Sequence, residues 1–388
     1  MRLLHVIRTL NPDCGGPTDS VRMFVAAHLR AGREVEVATL DSPEASYSQL
    51  PNAEVHALGP GLGHYHYQPR LERWLEANRA RFDGVIVNGI WQYHALATRQ
   101  AMAGHTPYVV FAHGMLDPYF QRRYPLKHLK KLAYWISCEG KNLHLAERVC
   151  FTCSEEMRIA GEGFPFWNFK KVVVSYGSSG PTGEPEQLKQ TFRDACPAAA
   201  EKPYLLFLGR LHPKKGCDLL LDAFARTAPE GIDLVMTGPD DVGWMAKLKA
   251  QAAQLGITER VHWTGALRGE AKWGAFYGAE AFILPSHQEN FGIVVADALA
   301  CGTIALVSDK VNIAGEVAAD GAALVESDTT DGIARLIERF LALSDQERAA
   351  MRQRSRKCYE RRYTLMNTTE QVVRALGLVE VVQQPSTL

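Results

Sequence analysis

The sequence predicts an α/β protein of two doubly wound, Rossmann-like halves, and three observations carry that expectation. Short apolar runs alternate with amphipathic stretches along the chain, the pattern of parallel strands joined by crossover helices. At 388 residues the chain exceeds one ordinary core, and domains of ~150–200 residues are the natural division. A breaker-rich segment, Ser175–Pro185, reads as an interdomain linker.

In the first half the apolar runs Leu3–Ile7, Glu34–Thr39, Gly84–Asn88, Tyr108–Ala112 and Val149–Thr152 are predicted strands. Helical periodicity separates them at Ser20–Arg30, Arg70–Arg79 and Lys127–Leu145. The second half repeats the pattern with strands Tyr204–Leu208, Asp233–Thr237, Val261–Thr264, Ala281–Leu284 and Ile304–Val307. Its helices are expected at Leu219–Arg226, Met245–Leu255 and Ile293–Ala300. The expected division is residues 1–180, residues 200–360 and a C-terminal helix within 361–380 returning to the first domain. Two such halves would face each other across a cleft at their strand ends. The tail after Val381 is expected to fray.

Composition narrows the function. Hydrophobic residues make up 46% and charged residues 22%, a well-packed soluble composition. Lys plus Arg equals Asp plus Glu at 43 each, so no overall field points to nucleic acid, and any anion site must be local. Cys150 and Cys153 have metal-like spacing, but no second cysteine or histidine pair completes a zinc site. The scattered cysteines fit a reducing, cytosolic setting. Leu3–Ile7 is too short for a signal peptide, and no run approaches the ~18 apolar residues of a membrane span.

Two elements carry chemistry. Tyr204–Leu208 runs into Gly209-Arg210-Leu211-His212-Pro213-Lys214-Lys215-Gly216 and then a helix. Arg210 and Lys215 at a strand's C-terminal rim can pair with the two phosphates of a diphosphate; the bland alternative is a solvated basic loop. Ala281–Leu284 leads through Pro285 and Ser286 to Glu289-Asn290-Phe291-Gly292, then to a helix bearing Asp297. The eight-residue offset of Glu289 and Asp297 is ~12 Å of helical rise, so they suit opposite ends of an elongated ligand. The bland reading leaves Asp297 as a solvent-facing helix residue.

Together these stretches resemble the retaining glycosyltransferases of family 4, which have the two-Rossmann GT-B fold. The resemblance covers nearly the whole chain, with Gly15-Gly16 after the first strand and His113-Gly114 after a later one. It implies that Arg210 and Lys215 neutralise the diphosphate of a nucleotide-sugar donor and that Glu289 binds hydroxyls of the donor sugar. Gly209, Asn290, Phe291 and Gly292 would offer backbone to the donor. Gly15 and Gly16 would approach phosphate and acceptor, and His113 would lie beside the transferred sugar. Asp297 stands where the family has a glutamate on the ribose, one methylene shorter. Ile304 replaces the family's usual proline.

The resemblance further implies sugar transfer without metal or cofactor, with the donor phosphate assisting acceptor deprotonation and no protein nucleophile. No Asp-x-Asp motif is present; Asp240-Asp241 reads as turn chemistry. The acceptor class implied is a glycan or lipid-linked saccharide of bacterial polysaccharide or glycolipid assembly. Alternatives are a nucleotide-sugar epimerase or hydrolase, or a donor-binding relative without turnover. Arg122, Arg123, Lys127, Lys130 and Lys131, interleaved with aromatic residues, read either as a solvated helix face or as a seat on the anionic inner face of the plasma membrane.

Overall fold

A computed structural model describes residues 1–118, 125–160 and 164–378. The chain divides into two compact units, one of Met1–Tyr176 with the segment that starts at Leu365, and a second of Gly177–Thr364.

The first unit is built on a seven-stranded parallel sheet. Its strands are β1 (Arg2–Ile7), β2 (Glu34–Thr39), β3 (Glu54–Ala57), β4 (Gly84–Asn88), β5 (Tyr108–Phe111), β6 (Arg148–Phe151) and β7 (Lys171–Val173). They lie in the order β3-β2-β1-β4-β5-β6-β7. The central strands β1, β4, β5 and β6 are largely apolar on both faces because helices cover both. Leu4, Val6, Val85 and Val87 pack into one cluster with Trp135 and Phe151. Leu3, Ile86, Val109 and Phe111 pack into the opposite cluster with Phe24, Val372 and Leu376. The last two belong to or adjoin helix Leu365–Ala375, which packs beside helix Gly16–Arg30. Arg33 pairs with Glu370 across that contact.

The second unit holds a six-stranded parallel sheet of β8 (Tyr204–Leu208), β9 (Asp233–Thr237), β10 (Val261–Gly265), β11 (Ala281–Leu284), β12 (Ala305–Ser308) and β13 (Ala323–Glu326). The order is β10-β9-β8-β11-β12-β13. Phe207, Phe224, Phe276, Phe282 and Phe340 are fully buried in it.

Three strands escape sequence periodicity: β3, β7 and β13. β3 is Glu-Val-His-Ala on the sheet edge, and β7 is three residues long, so neither offers a buried apolar run. The expected long helix at Lys127–Leu145 is broken into Pro125–Tyr134, a π-helical turn Trp135–Glu139, and Gly140–His144. The breaker-rich segment Ser175–Pro185 is not a free linker. Ser178 is 2% exposed; its amide donates to Tyr363 O at 2.8 Å and its carbonyl accepts from Tyr359 Oη at 3.1 Å. The tail after Val381 lies outside the described residues.

Candidate functional site

In each sheet the strand order reverses between two central neighbours, β1 and β4 in the first unit and β8 and β11 in the second. Such a switch point opens a crevice at the strands' carboxyl ends, because the following helices leave to opposite faces.

In the second unit the sequence-predicted residues converge there. Arg210 follows β8, and Glu289 follows β11. The loop ends are tied by backbone bonds: Gly209 N donates to Thr237 O at 2.9 Å, Leu211 N to Pro239 O at 2.8 Å, and His287 N to Lys214 O at 2.8 Å. That closeness dictates the glycines. A Cβ on Gly238 would stand 1.8 Å from Gly209 O, and one on Gly216 would stand 2.2 Å from Pro285 O. Both positions also take positive φ, at 150° and 64°, where a side chain is strained.

Gly216 and Gly292 each cap a helix, Cys217–Thr227 and Ile293–Ala300, in left-handed conformation and with no side-chain acceptor for the first amides. Two helix starts thus meet the switch point with amides available, a natural anion site. Arg210 is exposed, and its guanidinium has no partner among the described residues. The Lys215 ammonium pairs with the Glu289 carboxylate, with side chains only 16% and 19% exposed. Glu289 is held from behind: its amide donates to Lys310 O and its carbonyl accepts from Asn312 N, both at 3.0 Å. Phe291 points into the core, edge-on to Tyr363 at 5.6 Å, so it can serve a ligand by backbone alone.

Asp297 is not the solvent-facing residue of the bland reading. It is 6% exposed, and its two oxygens accept from Ser178 Oγ at 2.5 Å and Lys272 Nζ at 3.1 Å. Lys272 also stands 3.8 Å above the Trp273 ring. Neither Ser178 nor Lys272 was legible as a site residue, since they lie 119 and 25 residues from Asp297. Asp240 caps a helix, its carboxylate accepting from Trp244 N at 2.6 Å and Met245 N at 3.1 Å.

In the first unit Gly15, at φ 86°, leads into Gly16, which starts helix Gly16–Arg30 beside the end of β1. His113 follows β5 at φ 50°, stacks on Phe111 at 5.6 Å, and meets Tyr176 Oη through Nδ1. Burial pushes its imidazole down to about 3, so it is neutral at physiological pH. The turn is fixed by Glu156, buried at 2% exposure, whose Oε1 accepts from Gly114 N at 2.6 Å. Cys153 Sγ caps the helix Ser154–Ile159 and Cys150 is buried in β6, so this pair has structural work. Among the described residues one cluster has metal-ligand proximity, Glu36, Glu54 and His56 on β2 and β3. There Glu36 is already paired with His56 and Arg81, each at 2.7 Å.

A cavity of about 380 Å³ lies at the β1–β4 switch point, lined by Arg8 and Thr9 on one side and Asn88, Trp91 and Lys131 on the other. Lys131 therefore departs from the expected solvent-facing basic stripe: it is partly buried, 4.7 Å over the Trp91 ring. Lys130 is exposed. Arg122, Arg123 and the Lys127 side chain lie outside the described residues. No helix among the described residues is long and apolar enough to cross a membrane.

A family model described as Glycosyl transferases group 1 matches residues 189–358, and one described as Glycosyl transferase 4-like domain matches residues 15–177. An uncharacterized glycosyltransferase, MJ1607, of Methanocaldococcus jannaschii is 24% identical over 298 residues, covering 72% of this chain and 73% of its own. A D-inositol 3-phosphate glycosyltransferase of Geodermatophilus obscurus is 35% identical over 114 residues, 27% of this chain and only 25% of that relative's length. Anabaena Alr3699/HepE, solved in complex with UDP, superposes with a TM-score of 0.76 at 17% identity, covering 97% of this chain and all of that one. A glycosyltransferase from Rickettsia africae gives 0.74 at 13% identity, covering 97% of each. Doubly wound in both units and matched along both by glycosyltransferase domain models, the chain is a glycosyltransferase enzyme of GT-B fold.

Proposed function

We propose that the chain transfers a sugar, with retention and without metal, from a nucleoside-diphosphate sugar to a glycan or lipid-linked acceptor. The observation that carries the reading is the convergence of Arg210, Lys215, Glu289 and two helix starts on one switch point. Departure of a nucleoside diphosphate places growing negative charge on the leaving phosphate. Fixed cations and aligned amides stabilise that charge without reorganising as it develops. Arg210, unpartnered and exposed, is the residue free to take a phosphate oxygen. Lys215 offers its remaining N–H groups to the other phosphate while holding Glu289 toward the donor sugar's hydroxyls. Asp297 reaches the ribose from beneath, sharing its carboxylate with Lys272.

His113, held neutral, can donate or accept a hydrogen bond to a sugar hydroxyl but adds no charge. The acceptor's proton leaves to the donor phosphate, in keeping with the absence of a protein nucleophile from the assigned set. Alr3699/HepE has also been solved with UDP-glucose, which makes a UDP-sugar the first donor to test.

The test is a thermal-shift screen against UDP-, GDP- and ADP-sugars, followed by product analysis. A cognate donor at 100 times its Kd should stabilise by ~2.7 kcal/mol. Product that requires an acceptor supports transfer, whereas an epimer or free sugar formed equally without one would replace the reading. Undiminished donor binding in Arg210→Ala would remove the diphosphate assignment.

A further inference from the structure

The cavity at the first unit's switch point is unusual in its charge. Among the described residues its lining includes two cations, Arg8 and Lys131, and no carboxylate. Both cations are partly buried, and neither has a carboxylate partner among the described residues. Arg8 Nη1 meets His66 Nε2 at 3.4 Å, and Lys131 stands over the Trp91 ring. Partly buried cations without counter-charge carry a desolvation cost that an anionic ligand relieves.

The same cavity has a fixed polar wall at Asn88. Asn88 is 2% exposed and lines it. Its Nδ2 faces Ile86 O at 3.0 Å, Val6 O at 3.4 Å and His5 Nδ1 at 3.2 Å, which fixes the amide's orientation. Its Oδ1 is left buried without a partner among the described residues.

The wall is also built rather than incidental. Trp91 takes φ 75°, a conformation a bulky residue adopts only when its surroundings impose it. The imposing groups are Glu139, whose Oε2 accepts from Trp91 N at 2.9 Å, and Met115 O, which accepts from Trp91 Nε1 at 3.1 Å. Glu139 in turn sits on the π-helical turn Trp135–Glu139, whose bulge gives it that aim.

We infer that this cavity is the acceptor site and that its ligand is a hydroxylated molecule bearing an oxyanion, a phosphate or a carboxylate, held by Arg8 and Lys131. The inference rests on the glycosyl-transfer reading above and adds the charge class of the acceptor.

The test is calorimetric binding of glucose 6-phosphate, glucuronate and glucose to the full chain, with UDP, GDP and ADP as a separate panel. Glucose 6-phosphate and glucuronate are the phosphate and carboxylate arms, and binding of at least one is expected. Glucose should bind about tenfold more weakly or worse, and Arg8→Gln and Lys131→Gln should each weaken the anionic sugar about tenfold or more. Nucleotide binding should be unchanged in both variants, and an unaltered urea-denaturation midpoint followed by circular dichroism should show that the first unit still folds. Equal binding of glucose, no binding of either anionic sugar, or unaltered binding in both variants overturns the inference. Failure of the nucleotide panel in the unsubstituted chain would instead count against the donor assignment, and leaves the anionic-sugar result to stand or fall separately.

Discussion

The Lys215 ammonium pairs with the Glu289 carboxylate across 74 residues of sequence, joining the loop after β8 to the loop after β11. On the proposed assignment, a cation for the diphosphate and a carboxylate for the sugar meet at one junction, the bond that glycosyl transfer breaks. The pair separates binding from turnover. In Glu289→Gln, nucleoside-diphosphate binding by calorimetry should hold within about threefold, while transfer falls about 100-fold or more. In Lys215→Ala the nucleotide itself should bind about tenfold more weakly. Wild-type transfer by Glu289→Gln would remove Glu289 from the reaction.

How much of this was legible depends on the range of the interaction. Helix Ile293–Ala300 has its sequence-predicted ends because Gly292 and Cys301-Gly302 punctuate it locally. The run Gly209 to Lys215 stood out because glycines and cations crowd one strand end, and the structure places that end at the β8–β11 switch point. Lys272 on Asp297, Glu156 on the Gly114 amide and Glu139 on the Trp91 amide are long-range contacts, and no spacing rule encodes them. Positive φ at Trp91 left no trace either, because tryptophan is not a residue that signals it. β13 was missed because Ala-Leu-Val-Glu beside Gly321 and three alanines has no alternation to read.

Asp297 supports two roles that a pair of substitutions can part. Asp297→Ala leaves Lys272 Nζ without its carboxylate and Ser178 Oγ without its acceptor, at a cost of about 3–5 kcal/mol in urea denaturation. Asp297→Asn keeps an acceptor for Ser178 and loses only the charge facing the partly exposed Lys272, so it should cost clearly less. If the carboxylate reaches ribose, Asp297→Asn binds nucleoside diphosphate about tenfold more weakly while inorganic pyrophosphate is unaffected. Equal weakening of both would place Asp297 on the phosphates.

Acid should destabilise the fold through histidines it holds neutral. Burial lowers His5 and His113 to about 3 and His94 to about 4, and also drives His28 well down. Below the ordinary value of 6.5 the unfolded chain takes protons that the folded chain refuses, so stability falls as pH drops from 6.5 toward 4. Each such group contributes a slope of up to about 1.4 kcal/mol per pH unit. Glu139, raised by burial to about 7, opposes this between 4.5 and 7 because the folded state keeps its proton. Four groups outweigh one, and the urea midpoint should be lower at pH 5 than at pH 7. A midpoint that is flat or higher at pH 5 would show that the four imidazoles gain protons without unfolding.

The turn that carries His113 is held by a buried carboxylate, Glu156. Glu156 Oε1 accepts from Gly114 N at 2.6 Å, and Oε2 accepts from Thr152 N and Thr152 Oγ, each at 2.6 Å. Three donors converge on one buried carboxylate and lock consecutive residues at φ 50° and 74°, a pairing that is strained for the histidine. In Glu156→Gln one oxygen becomes an NH₂ facing a donor, so about 1–3 kcal/mol of stability should be lost. Nucleotide affinity, assigned above to the other unit, should hold within about twofold while kcat falls as His113 leaves its position. A double-mutant cycle distinguishes positioning from general loosening: if Glu156 acts through His113, then His113→Ala made in Glu156→Gln costs clearly less in kcat than it does alone. Additive losses in that cycle would reduce Glu156 to a purely structural anchor.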